Sequence, residues 1–541
     1  MAVKSCFAAD FRQAAYKARL AVGLAAVLGL QSCVGPDFQI PKAPGIDAFT
    51  EQRVPASNSA GGKTQRLEIS EALPADWWTL FHSSSLNALV VRALRDNPNV
   101  AAAQAALRVA QANVYAEVGQ LFPLASGDYS GTRGQTAAPV SSPLSTSGPG
   151  NNFYSLHTAQ FSVSYVPDLW GGTRRQIESL EAVKENQRFA NEATFLTLTS
   201  TIAMGAIQEA SLRAQIGVTE RLIKISKEIL TKVRLQRELG QLSELDVAGQ
   251  EALVAQTEAT LPPLRKALAL QRDALIVLSG HLPGEGLAER FEFMHLKLPR
   301  HLPVSLPSNI VSQRPDVRAA EENIHAASAL VGVAIAARLP QFSIAGDVGR
   351  SGTQFKNLFS ASPAFFFYTG LANASQTIFD GFTLQQKQRA AEAGLDQAAA
   401  QYRLAVLTGF QNVADALYAI QHDTVALEKS ILAEAAAEKS LRLTRLQLNE
   451  GQVAFPQLLA AQSAYLQAAL VVIQAETNRY SDTVGLFQAL GGGWWNRAAP
   501  PHVDQPEAWL TSVVGVKPDP IVTEYPGATH NEARGATPAE R

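Results

Sequence analysis

The chain has 541 residues, 46% of them hydrophobic and 17% charged, and its 46 Lys and Arg nearly balance 48 Asp and Glu for a formal net charge of −2. With no Lys/Arg block standing out, nothing points to a nucleic-acid partner. Cys6 and Cys33 are its two cysteines, so a disulfide framework is not what holds it together.

Lys4, Arg12, Lys17 and Arg19 precede an unbroken apolar run from Leu20 to Leu30. About 11 apolar residues are too few to span a membrane, so the segment reads as a signal peptide. Leu30-Gln31-Ser32 before Cys33 resembles a bacterial lipobox, in which the cysteine becomes the acylated first residue after cleavage. An ordinary secretory leader with an incidental cysteine is the competing reading. Cys6 lies in the removed segment, which leaves no partner for a disulfide within one mature chain. Val34, standing where an aspartate would retain an inner-membrane lipoprotein, favours outer-membrane sorting by the same resemblance. Pro36 to Lys63 is rich in Pro, Ser and Gly and is expected to run as an extended tether.

Trp77 and Trp78 are read as packing residues. Asn97-Pro98-Asn99-Val100 then opens an alanine-rich helical run that ends at Leu121-Phe122-Pro123. Strand character follows from Leu124 to Thr132, a Gly/Ser/Pro-rich link runs from Arg133 to Asn152, and a second strand places Ala159, Phe161, Val163 and Tyr165 on one face and Gln160, Ser162 and Ser164 on the other. Asp168-Leu169-Trp170-Gly171 leads into a helix from Gly172 to Leu239. Arg174 and Arg175 inside it are expected to be solvated or paired with Glu178. Gly240-Gln241 breaks the helix, and a return runs from Glu244 to about Leu278 with a bend at Pro262-Pro263.

The same order then recurs at a distance of roughly 210 to 217 residues, the mark of an internal repeat. Its parts are Arg314-Pro315-Asp316-Val317, Leu339-Pro340, strands at Phe342 to Val348 and from Phe365 to Ala372 around the link Arg350 to Pro363, Phe379-Asp380-Gly381, a helix from Phe382 to Glu450, Gly451-Gln452, and a return from Leu458 to about Leu490. The expected organisation is a signal peptide at 1–32, an acylated tether at 33–75, repeats at 76–280 and 307–495 joined by a linker at 281–306, and a disordered tail at 496–541, whose polar, proline-rich composition favours disorder. Both long runs lack proline and are rich in good helix formers. At 1.5 Å per residue each would extend about 100 Å, which implies coiled-coil or barrel packing.

Beyond the signal peptide no stretch of about 20 apolar residues stands out, so if the chain crosses a membrane it does so with strands. An aromatic cluster such as Phe365 to Tyr368 suits a membrane interface, although four half-buried strands of a soluble sheet fit the pattern as well. Four strands cannot close a membrane barrel, because lipid-facing backbone groups all need partners and the smallest such barrels have about eight strands. Several copies, two or three, would have to share one barrel.

Taken together, Leu30 to Phe38, Trp77-Trp78, the Asn97-Pro98 and Arg314-Pro315 pair, Asp168 to Gly171, Phe379 to Gly381, Gly240 to Gln250 and Leu490 to Trp494 resemble an outer membrane factor of the TolC type, in its efflux outer-membrane lipoprotein (nodulation protein T-like) subfamily. The resemblance implies a mainly helical fold with membrane strands: a homotrimer pooling four strands per chain into a twelve-stranded outer-membrane β-barrel that continues into a periplasmic α-helical barrel. It implies a passive duct without cofactors, a periplasmic membrane-fusion adaptor, and an inner-membrane pump of the resistance-nodulation-division class. It also places the turns at Gly240 and Gly451 at the periplasmic tip, where Glu244, Asp246, Phe455 and Gln457 become candidates for gating and adaptor contact. A ring of carboxylates there would favour cations; equally, Glu244 and Asp246 suit a helix start. In the second turn Gln457 and Ala460 stand where some relatives carry two aspartates, so an acidic constriction from that repeat is in doubt. The same duct serving type I protein secretion, or a coiled-coil lipoprotein spacer, are the alternatives. No nucleophile elbow, phosphate loop or metal-ligand spacing is present to support an enzyme.

Overall fold

A computed structural model of the chain describes residues 34–135 and 153–497 apart from 43, 47, 53, 70–72 and 306. Cys33, most of the first inter-strand link and the tail beyond residue 497 lie outside the described residues. In chain order the elements are β1 (Ser57–Ala60), β2 (Lys63–Ile69), α1 (Ser84–Asp96), α2 (Pro98–Val118), β3 (Leu124–Gln135), β4 (Phe153–Tyr165), α3 (Gly172–Glu238), α4 (Glu244–Ala259), α5 (Leu261–Leu278), β5 (His301–Val304), α6 (Pro307–Gln313), α7 (Pro315–Ala336), β6 (Gln341–Gly352), β7 (Phe366–Ser375), α8 (Thr383–Asn449) and α9 (Phe455–Ala489). They fall into two compact units. One holds residues up to 40 with 109–185 and 321–401; the other holds 41–108, 186–320 and those from 402 onward.

The first unit carries a four-stranded antiparallel sheet in the order β3-β4-β6-β7. The link expected from Arg350 to Pro363 begins as strand and continues through short 3-10 turns at Phe355–Phe359 and Pro363–Phe365. Both repeats use an aspartate to open their long helix: an Asp168 carboxylate oxygen accepts the Arg174 amide at 3.0 Å, and one of Asp380 accepts that of Leu384 at 2.8 Å. These acceptors satisfy amides that a helix start leaves without partners. Arg175 pairs with Glu178 at 2.7 Å, as the i,i+3 spacing predicts.

The second unit has its core around Trp77, Phe81, Tyr480 and Phe487, each at most 1% exposed. Trp78 is buried too, and its indole N–H donates to Asn87 Oδ1 at 3.1 Å. The repeat reappears here as equivalent chemistry from different residues. Asn97 donates to the Leu278 carbonyl at the end of α5, and Arg314 to the Ala489 carbonyl at the end of α9, both at 2.8 Å. Each therefore closes off a returning helix whose last carbonyls would otherwise lack partners. The residue that follows each is a proline at a first helical position, where its missing N–H costs nothing. Backbone crowds both sites: a Cβ on Gly280 would lie 2.3 Å from the Asp96 carbonyl oxygen and one on Gly491 2.6 Å from that of Gln313.

Three expectations need correction. The tether is not extended throughout: β1 and β2 form a hairpin, and β2 pairs in parallel with β5 from the expected linker. Arg479, 1% exposed, fixes that hairpin by donating to Gln65 Oε1 and to the carbonyls of Asn58, Ala60 and Lys63 at 2.9–3.3 Å. The tail begins no earlier than residue 498, because Asn496 donates to the Leu73 carbonyl at 2.7 Å and Arg497 pairs with Glu192 at 3.0 Å. Finally, α9 is long and apolar enough by composition to cross a membrane. Its buried Gln462, Thr477, Arg479 and Thr483 instead tie one face of it into the core of the second unit, where a polar side chain finds partners that lipid does not offer. The expected bend at Pro262-Pro263 takes the form of a break at Thr260, since proline fits the first turn of a new helix and not the interior of an old one.

Candidate functional site: the strand sheet and the two helical turns

In the sheet, residues paired across strands project to the same side. The register aligns Gly127, Phe161, Val348 and Tyr368 in one row, Ala125, Val163, Gly346 and Gly370 in the next, and Tyr165, Ile344 and Ala372 in a third. The other side shows Ser126, Ser162, Asp347 and Thr369 in one row and Asp128, Gln160, Gly349 and Phe367 in its neighbour. Over these rows one side is apolar and the other largely polar with two carboxylates; beyond them Arg350 and His157 fall on the first side, and Leu124 and Leu371 on the second. Phe161, Ile344 and Tyr368 on the first side are 51%, 54% and 79% exposed. A sheet of this kind has a medium, not a core, against its apolar side. The alternation in β4 is legible in the sequence; Asp128 and Asp347 become visible only once the register fixes which side they share.

In the second unit the long helices end on the same motif. Gly240 has φ +73 and donates to Arg237 at 2.9 Å, with Gln241 donating to Gln236 at 2.8 Å; Gly451 has φ +71 and donates to Leu448 at 3.0 Å, with Gln452 donating to Gln447 at 2.9 Å. This left-handed closure satisfies the last carbonyls and costs a residue with a Cβ roughly 1 kcal/mol.

The two turns lead into their returning helices differently. Ser243 and Asp246 form a reciprocal cap: a carboxylate oxygen of Asp246 accepts the Ser243 amide at 3.0 Å and its hydroxyl at 2.7 Å, and the Ser243 hydroxyl accepts the Asp246 amide at 3.3 Å. Asp246 thereby acts as a helix-start residue, as negative charge near that end favours. Glu244 faces Arg237 at 2.8 Å, with both side chains more than half exposed, an arrangement that contributes little stability. After the second turn there is no side-chain cap. Phe455, 3% exposed, packs with Ile229, Val233, Val247, Leu441 and Leu458, so its ring is committed to holding the turn together, whereas Gln457 is exposed. Sequence reasoning had no means to separate these two: a phenylalanine beside a turn can line a passage or fill a core.

One titrating site went unnoticed in the sequence. Burial, followed by the charge and hydrogen bond of Asp423, raises the Asp482 carboxyl to about 7. The two acids come from α8 and α9, and one Asp482 oxygen is buried without a partner.

The model of the outer membrane efflux protein family matches residues 89–281 and 306–492. The chain belongs to this family. Among its relatives, this outer membrane efflux protein is 28% identical over 444 residues to the pyoverdine export outer membrane protein OpmQ of Pseudomonas putida, covering 80% of the chain and 92% of that protein. Nodulation protein T of Rhizobium leguminosarum bv. viciae is 26% identical over 499 residues, covering 90% and 95%. The solved outer-membrane channel OprN superposes with a TM-score of 0.75 at 26% identity over 85% of the chain and 99% of its own. The CmeC outer membrane channel of Campylobacter jejuni, at 20% identity, shares the fold with a TM-score of 0.76 over 86% and 96%. This outer membrane efflux protein therefore has the fold of TolC-like outer-membrane channels.

Proposed function

We propose that this outer membrane efflux protein is the passive exit duct of a tripartite efflux system. Three copies close one barrel, residue Cys33 is acylated, and a periplasmic adaptor joins the duct to an inner-membrane pump of the resistance-nodulation-division class. The observation that carries the proposal is the sheet: four strands whose middle rows sort into an apolar and a polar side, with two edges, β3 and β7, that have no neighbour among the described residues. In lipid an open edge is prohibitively costly, because its amides and carbonyls find no water. Alternate strands run in opposite directions, so β7 of one copy continues the antiparallel pattern with β3 of the next. Three copies of four strands give a twelve-stranded barrel whose apolar face meets lipid and whose polar face, with Asp128 and Asp347, lines a water-filled passage.

The turns at Gly240 and Gly451 are proposed as the periplasmic tip that meets the adaptor. Gln457 and Glu244, the latter in its exposed pair with Arg237, lie at the surface of these turns where a passage or a partner would meet them, while Asp246 adds charge from within its cap and Phe455 fixes the shape of the second turn. Cargo in this reading is small molecules, moved by the energy of the pump.

The oligomeric mass of the protein extracted from outer membranes in mild detergent tests the proposal. Three chains are expected, and a stable folded monomer overturns it. Glu244→Gln should lower cation preference in reconstituted channels without loss of folding, because Glu244 takes no part in the cap; unchanged selectivity removes it from the passage. Failure of Cys33→Ser to lose lipid labelling would remove the acyl anchor.

A further inference from the structure

The segment directly after Cys33 is held by a site built for it. The Val34 amide donates to the Trp170 carbonyl at 3.2 Å, and the Val34 carbonyl accepts from Arg175 Nε at 3.3 Å. Arg175, whose side chain is 6% exposed, reaches Asp37 at 2.6 Å with one terminal nitrogen and Glu178 at 2.7 Å with the other. The Phe38 ring stacks on His325 with centroids 4.4 Å apart and planes at 15°. His325 in turn lies 3.3 Å from both Glu178 and Glu322. Backbone passes so close that a Cβ on Gly35 would sit 2.5 Å from Gly332 Cα, and one on Gly332 would sit 2.7 Å from the Val34 carbonyl oxygen.

These contacts are more specific than a polar tether needs. A nearly buried arginine is spent on three acceptors, two of them supplied by the segment itself, and a glycine in mid-helix on α7 leaves a slot of backbone width. The partners come from α3 in the first repeat and α7 in the second, so the strand of chain at 34–38 bridges the two halves. The place is also informative. Trp170, which accepts the Val34 amide, donates its indole N–H to the Pro340 carbonyl at 2.7 Å, one residue before β6 begins.

We propose that α3 and α7 form a seat for residues 34–38, which fixes Val34 at the foot of the strand sheet and makes the anchor segment a staple between the repeats. The occupant is the chain's own N-terminal segment. Trp170, Arg175, His325 and Gly332 are positioning residues: they decide where an anchor enters the membrane, not whether one is attached. The membrane consequence rests on the proposed acylation of Cys33, whereas the seat itself does not.

Cross-linking in native outer membranes tests the seat. In the full chain carrying Phe38→Cys and His325→Cys, a short bifunctional thiol reagent should link the two positions within one chain about tenfold above either single substitution, and Gly332→Val should lower the yield about tenfold by filling the slot. Linkage at the single-substitution level, or linkage indifferent to Gly332→Val, overturns the proposal. If the double-cysteine chain fails to assemble, a spin label at Gln39→Cys, an exposed position directly after the seated residues, decides with every seat contact intact: an immobilised spectrum that becomes mobile with Gly332→Val supports the seat, and a mobile spectrum in both refutes it. The mass of the N-terminal peptide separates the two ideas, because an unmodified Cys33 thiol refutes acylation while leaving the cross-link result standing.

Discussion

The strand sheet of the first unit and the helical core of the second satisfy the same physical demands by different means. In the second unit, Trp77, Phe81 and Phe487 are at most 1% exposed, and a buried arginine finds four acceptors inside the chain. In the first, Phe161, Ile344 and Tyr368 are 51%, 54% and 79% exposed on one side of a sheet whose outer strands, β3 and β7, have no further neighbour among the described residues. Exposed aromatic residues on a regular, fully registered sheet are a sign that its surroundings lie outside the chain, since a poorly packed soluble sheet would not also sort apolar from polar side chains by face.

Substitutions can break that contrast. The largest effect is expected for Arg479→Ala, which strands the acceptors of Asn58, Ala60, Lys63 and Gln65 and should cost about 4 kcal/mol, read as a lower thermal midpoint in detergent. An unchanged midpoint would mean that the hairpin is not part of the core. Phe161→Arg, on the apolar face, should cost about 3 kcal/mol and reduce assembly into membranes, while Ser162→Arg on the other face should assemble and alter conductance. The reverse pair of outcomes would exchange the lipid and lumen faces.

Asp482 gives a smaller, pH-dependent effect. Its folded carboxyl titrates at about 7, above its ordinary 3.8, so the folded state prefers the protonated form. Stability from this site is greatest below the ordinary value and declines as pH climbs toward about 7. Asp482→Asn should therefore stabilise by about 1 to 2 kcal/mol at pH 8 and have little effect at pH 4, measured by denaturation at both. A gain that does not depend on pH would point to packing instead of charge. The smallest effect belongs to Ser243→Ala, about 1 kcal/mol, appearing as faster hydrogen exchange in the first turn of α4; unchanged exchange would show that the cap is idle.

Legibility in the sequence followed the range of the interactions. The long helices, Gly172–Glu238 and Thr383–Asn449, fall within a residue of their expected limits because no proline interrupts them and Gly240 and Gly451 stand just beyond. The strand pattern around Phe161 was readable because alternation is local. The β1-β2-β5 sheet was not, since its strands are short and β2 finds β5 more than 230 residues later. Asp482 is perturbed by a residue on another helix, and Phe455 is buried by side chains from α3, α4 and α8, so neither property is written near it in the chain.

The open edges of the sheet carry a genetic consequence. In the ring proposed above, each copy would offer β3 on one side and β7 on the other, so closure would need every member to be sound at both. A variant that spoils only one edge can still recruit normal neighbours and then leave the ring unclosed. Expressed in equal amounts beside the normal chain, it would leave about one in eight assemblies intact if three copies close the ring, and about one in four if two do. The depth of that dominance counts the subunits without purifying them.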